Sequence, residues 1–108
     1  MDKTKLTAQT LPSGTVEVEG VGEVHVRGLS RFELLLAGKV GGDDVALMER
    51  KMLSFAMTDP EMTEKDVEAW QKTSPAGQIA PVVAKVNELS GVSRGASKEA
   101  YKSLREES

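Results

Sequence analysis

Two valine-alternating runs flank Gly20-Val21-Gly22, and no other feature constrains the fold as tightly. Val16 and Val18 alternate with Glu17 and Glu19; Val24 and Val26 alternate with His25 and Arg27. Period-two patterning on both sides of a glycine-rich break predicts a β-hairpin with one valine face and one charged face. A three-residue loop over 20–22 pairs Val18 with Val24 and Val16 with Val26, and sets Glu17 opposite His25. A two-residue loop would mix the faces, so the first register is expected.

After the hairpin the pattern changes to helical spacing. Ser30 and Glu33 form a capping-box pair that opens a short helix through Phe32, Leu35 and Leu36, with Gly38 as its left-handed stop. Val40-Gly41-Gly42 reads as a linker. Asp43 or Asp44 caps a longer helix that runs to about Met57, with Val45, Met48, Met52 and Phe55 on one face and Pro60 as terminator. Thr63 and Asp66 make a second capping box, with Val67 and Trp70 directed inward. Ser74-Pro75-Ala76-Gly77 breaks the chain again. The next helix starts between Gly77 and Ala80, carries the stripe Ile79, Val82, Val83, Val86 and Leu89, and stops at Gly91.

The expected class is therefore α+β, an N-terminal hairpin followed by a small bundle of about four helices. Residues 1–14 are expected as a flexible lead-in and 15–91 as a single domain. Residues 92–108 form a tail, either mobile or a short helix around Tyr101 and Leu104. One domain suits a chain of 108 residues. Aromatic residues make up only 4% of it, so Val, Leu, Ala and Met must fill the core.

Composition also narrows the chemistry. A net charge of −3 disfavours nucleic-acid binding, which needs a concentrated positive surface. Without cysteine there is no disulfide, thiolate nucleophile or Cys-based zinc site. No apolar run is long enough to span a bilayer, and no h-region follows the N-terminus. His25, the single histidine, lacks partners for acid–base or metal work and reads as a surface residue beside Glu17. Gly20-Val21-Gly22 opens like a dinucleotide fingerprint, but the third glycine is missing and a strand follows. The acidic stretch from Asp59 to Glu68 contains Pro60 and no central glycine, so capping explains it better than calcium. No cofactor, metal or catalytic residue is expected.

Methionine is the more informative residue. Met48, Met52, Met57 and Met62 fall within one helix and the loop after it. An unbranched, polarizable side chain can repack around different apolar partners, so these four are candidate partner contacts. For Met48 and Met52 simple core filling fits the helical stripe better. Met57 and Met62 flank a turn and are expected to be exposed. Tyr101 and Leu104, three residues apart, are further candidates for docking on the domain or on a partner.

The order of these features, and above all Asp59-Pro60-Glu61-Met62-Thr63-Glu64-Lys65-Asp66-Val67-Glu68-Ala69-Trp70 with Ser74-Pro75-Ala76-Gly77 and Pro81-Val82, resembles the tail assembly chaperones of siphophages and their prophages. The likeness runs from about Thr15 to the end of the chain. It implies a non-enzymatic protein of the bacterial host cytoplasm that binds the tape-measure protein and helps recruit the tail-tube protein. It further implies that the protein leaves before the virion matures. Self-association into a homo-oligomer is compatible with this. Two other readings stand beside it: a structural tail-completion or connector protein, and a small DNA-binding regulator.

Overall fold

The computed structural model describes residues 1–92. In chain order the elements are α1 (Thr4–Thr7), β1 (Ser13–Val18), β2 (Gly22–Arg27), α2 (Arg31–Gly41), α3 (Val45–Ala56), β3 (Met57–Asp59), α4 (Glu64–Thr73) and α5 (Ala76–Leu89). An antiparallel hairpin followed by four helices makes the fold α+β, as the periodicities require. No helix among the described residues is long and apolar enough to cross a membrane. The expected tail helix with Tyr101 and Leu104 lies outside the described residues.

The hairpin forms, but its register differs from expectation by two residues. Val16 faces Val24, Val18 faces Gly22, Thr15 faces His25, and Glu17 faces Glu23 rather than His25. The turn is Glu19-Gly20-Val21, closed by the Val21 N–H donating to the Val18 carbonyl at 3.0 Å, with Gly20 at φ 79°. A slip of two keeps every side chain on its face, so Val18, Val24 and Val26 still enter the core. Tertiary packing accounts for the choice. The observed register pairs Gly14 with Val26, and a Cβ at Gly14 would lie 3.0 Å from the Lys85 Cε and 3.4 Å from a Leu89 methyl of α5. A glycine is thus placed where α5 crosses the strand. Gly28 makes a still closer approach, since a Cβ there would sit 2.6 Å from the Leu89 carbonyl oxygen.

β3 has no counterpart in the sequence reading, which carried the helix to about Met57. The helix stops at Ala56; Met57 then pairs with Val26 and Asp59 with His25, adding a third strand in the order β1-β2-β3. Only three residues long, β3 offers no alternation to detect.

Helix ends follow their caps. Ser30 accepts from the Glu33 N–H while Glu33 accepts from the Ser30 N–H, and Thr63 and Asp66 do the same for α4. α2 does not stop at Gly38. It continues to Gly41 and ends at Gly42, where φ is 56°. Its buried face is Leu34, Ala37, Gly38 and Gly41, not the expected Phe32 and Leu35; Phe32 is 72% exposed. Gly41 lets α3 approach closely, since a Cβ there would lie 2.6 Å from the Met48 Cβ. α3 buries Met48, Met52, Leu53 and Ala56, while Val45, expected on that face, is exposed at the helix start. α5 begins at Ala76, one residue before the expected window, and carries Pro81 in its second turn. The missing donor faces the Gly77 carbonyl, and both residues are exposed, so water can serve that carbonyl. At the other end the Val92 N–H reaches the Asn87 carbonyl and the Gly91 N–H the Glu88 carbonyl, a Schellman closure with Gly91 at φ 81°.

Candidate functional site

The residues that close the hairpin tip and those that follow β3 converge on one concavity. The inner face of the hairpin supplies Val18 and Val24, and its turn supplies Val21. After β3 the chain reverses through a cis Asp59–Pro60 bond and a Thr58–Glu61 bridge, which delivers Pro60 and Met62. Because Thr63 fixes where α4 starts, Val67 points into the core and Trp70, one turn later, reaches the concavity. The corner before α5 closes it with Ser74, Pro75 and Gln78, giving a groove of about 420 Å³.

Polar atoms in this groove already have partners. The Trp70 indole N–H donates to Gln78 Oε1 at 2.8 Å, and Gln78 Nε2 donates to the Glu19 carbonyl at 3.2 Å. That chain of two bonds ties α4 and α5 to the hairpin turn. The Ser74 hydroxyl donates to the Trp70 carbonyl and the Thr73 hydroxyl to the Ala69 carbonyl. No ionisable side chain lines the groove. Such a surface can take up apolar side chains, and nothing in its lining can accept or deliver a proton near neutral pH.

Met57 and Met62 also line a second depression of about 440 Å³, together with Arg27, Phe55, Thr58 and Glu61. Its one cationic lining residue, Arg27, is already paired. Arg27 donates twice to Glu33, at 2.8 and 2.7 Å, and this bidentate bond, helped by the Ser30 N–H and opposed by burial, lowers the Glu33 pKa to about 2. Lys51 lies 5.0 Å above the Phe55 ring and 3.5 Å from Glu64.

Of the residues singled out from the sequence, Met57 and Met62 come together on the wall shared by the two depressions. Met57 is only 4% exposed, however, so the expectation that it projects into solvent is corrected: pairing with Val26 draws it into the core. Met62 is half-buried. Met48 and Met52 are buried core residues, Met48 against Gly41 of α2, and neither reaches the groove. Tyr101 and Leu104 lie outside the described residues. His25 is exposed, opposite Thr15 and 3.7 Å from Glu23, not beside Glu17. Sequence reasoning missed Val21, Pro60, Trp70 and Gln78. The three-residue spacing from Val67 made Trp70 look wholly internal, although an indole with one polar edge is suited to a half-open surface. No group of three or more His, Cys, Asp or Glu able to hold a metal occurs among the described residues.

No protein-family model, curated protein or solved structure matches this chain.

Proposed function

We propose that this protein is a phage tail assembly chaperone, a non-enzymatic protein that transiently holds the tape-measure protein in the host cytoplasm while the tail is built. One observation carries the reading. The stretch that resembles the family supplies Pro60, Met62, Trp70, Ser74, Pro75 and Gln78, and these line a single apolar groove. An amphipathic helix of a longer chain can lay its apolar stripe along such a surface. Methionine and valine contacts adapt to a succession of different segments, and a single indole gives one rigid anchor without locking the complex. Release to the tail-tube protein requires that kind of moderate grip.

The test is co-expression with the tape-measure protein of the same phage. Wild-type protein should raise the soluble fraction of that partner and co-purify with it. Val21→Asp changes a tip side chain that is 72% exposed, and should abolish co-purification with an unchanged melting temperature. Met62→Asp should weaken capture as well. Unimpaired capture by both variants would remove the groove from the account, and stoichiometric recovery of the protein from finished particles would favour the tail-completion reading.

A further inference from the structure

The three-stranded sheet treats its two edges differently. β3 is protected in the ways common to soluble proteins: it is three residues long, Pro60 follows it, and the bridge from Thr58 to Glu61 folds the chain back. β1 has a flanking proline, Pro12, but neither of the other two devices. It is six residues long, contains no proline or lysine, and ends the sheet. Its free backbone groups can be assigned. The Gly28 N–H donates to the Pro12 carbonyl at 2.8 Å, in the same ladder that pairs Gly14 with Val26 and Val16 with Val24. Antiparallel ladders alternate, so these even-numbered residues bond to β2, and Ser13, Thr15 and Glu17 turn their N–H and C=O groups to the open edge. All three are exposed, and among the described residues none makes a backbone hydrogen bond outside the hairpin ladder.

We infer that this edge pairs with the same edge of a second copy, joining two sheets into one across a two-fold axis at Thr15. The argument is self-complementarity. An antiparallel pairing centred on Thr15 sets Thr15 opposite Thr15, Ser13 opposite Glu17 and Gly14 opposite Val16. It uses all three outward-facing residues, and the exchange gives about six backbone hydrogen bonds. The carboxylates of Glu17 stay apart and each meets a serine hydroxyl instead. Threonine facing threonine across strands is a favourable pair. On the inner side Val16 of one copy stands opposite Gly14 of the other, beside Lys85 and Leu89 of α5, which lie 3.0 and 3.4 Å from where a Gly14 Cβ would be. A slip by two in either direction loses one pairing partner for a terminal residue, so the stagger is specified as well as the direction.

Sedimentation equilibrium on the full chain, from about 5 to about 500 µM, should show a monomer–dimer equilibrium and no larger species. Thr15→Pro removes an N–H that the hairpin ladder does not use, and should raise the dimer dissociation constant at least ten-fold with an unchanged far-UV spectrum. The protein has no cysteine, so single substitutions report the stagger directly. Thr15→Cys places two thiols across the axis at a Cα separation of about 5.5 Å, within disulfide reach, and should cross-link under mild oxidation. Ser13→Cys should cross-link at least ten-fold more slowly. A wild-type monomer throughout the range, or equal cross-linking by the two cysteine variants, would overturn the proposal. The cysteine comparison decides the matter even if Thr15→Pro fails to fold. Because no partner protein is used, these results do not depend on the proposed chaperone role.

Discussion

Glu33 performs two tasks with one carboxylate. It caps α2 by accepting the Ser30 N–H and anchors β2 to α2 by accepting twice from Arg27. The side chains are 26% and 16% exposed, so water screens the pair only in part. Its depressed pKa fixes the sign of the pH response. A carboxyl that ionises at about 2 in the folded chain, against 4.5 ordinarily, stabilises the fold fully above 4.5 and loses that contribution as the pH falls toward 2. Asp66, whose pKa is lowered by the Thr63 N–H and hydroxyl, acts in the same direction at the α4 cap. Replacing Arg27 with methionine keeps the aliphatic bulk and removes the charge-assisted bonds, at a cost of about 1.5–3 kcal/mol. In urea denaturation series the variant should lose less stability than wild type on acidification between about 4.5 and about 2. Parallel pH profiles for the two proteins would show that Arg27 does not set the Glu33 pKa.

The helical hairpin of α2 and α3 depends on which glycine faces what. At Gly41 a Cβ would lie 2.6 Å from the Met48 Cβ and 2.9 Å from its Cα, which no rotamer change relieves. At Gly38, one turn earlier on the same face, nothing lies within 4 Å of a Cβ. Gly38→Ala should therefore stabilise the protein by about 0.5–1 kcal/mol, through helix propensity and a less flexible unfolded chain. Gly41→Ala should destabilise it by about 1–3 kcal/mol, through overpacking. Thermal melts of the two variants test the assignment; equal shifts would contradict the α2–α3 spacing. These glycines also mark how far the sequence could be read. Caps at Ser30 and Thr63 were legible, and that of α3 to within Asp43 or Asp44, because a short polar side chain three residues before its bonded N–H leaves a local signature. The valine faces were legible because period two survives any even slip. Gly38 as a stop was not, since a glycine that ends a helix and one that lies inside it look alike until the fold is known. β3 and the register shared that difficulty. Both are decided by contacts distant in sequence, Met57 with Val26 and Gly14 with Leu89. The groove was half legible: its methionines were found, while Trp70 was taken for core because its other face, and the hairpin turn tied to it through Gln78, come together only in the fold.

At the scale of the molecule, the hairpin presents two separate surfaces. Val21 of its turn and the inner residues Val18 and Val24 belong to the groove, and the outward backbone of Ser13, Thr15 and Glu17 belongs to the sheet edge; the two sets share no residue. Binding at one surface should then leave the other unchanged, unless the hairpin itself moves. The hydrogen-bonded link from Trp70 through Gln78 to the Glu19 carbonyl opposes such movement by fixing the turn to α4 and α5. The consequence is additivity. Val21→Asp should remove partner capture and leave the dimer constant within two-fold of wild type. Thr15→Pro should shift that constant and leave intact the change in Trp70 fluorescence that the proposed function predicts on adding an amphipathic tape-measure peptide. The chain has one tryptophan, so that signal comes from the groove alone. In the double variant the two losses should add, with a coupling energy below about 0.5 kcal/mol, the value expected of sites without shared partners. A larger coupling would mean that the hairpin transmits strain from its edge to its tip. Substituting Gln78 with alanine would then test the route, because it cuts the hydrogen-bonded link from Trp70 to the Glu19 carbonyl and leaves the sheet edge untouched.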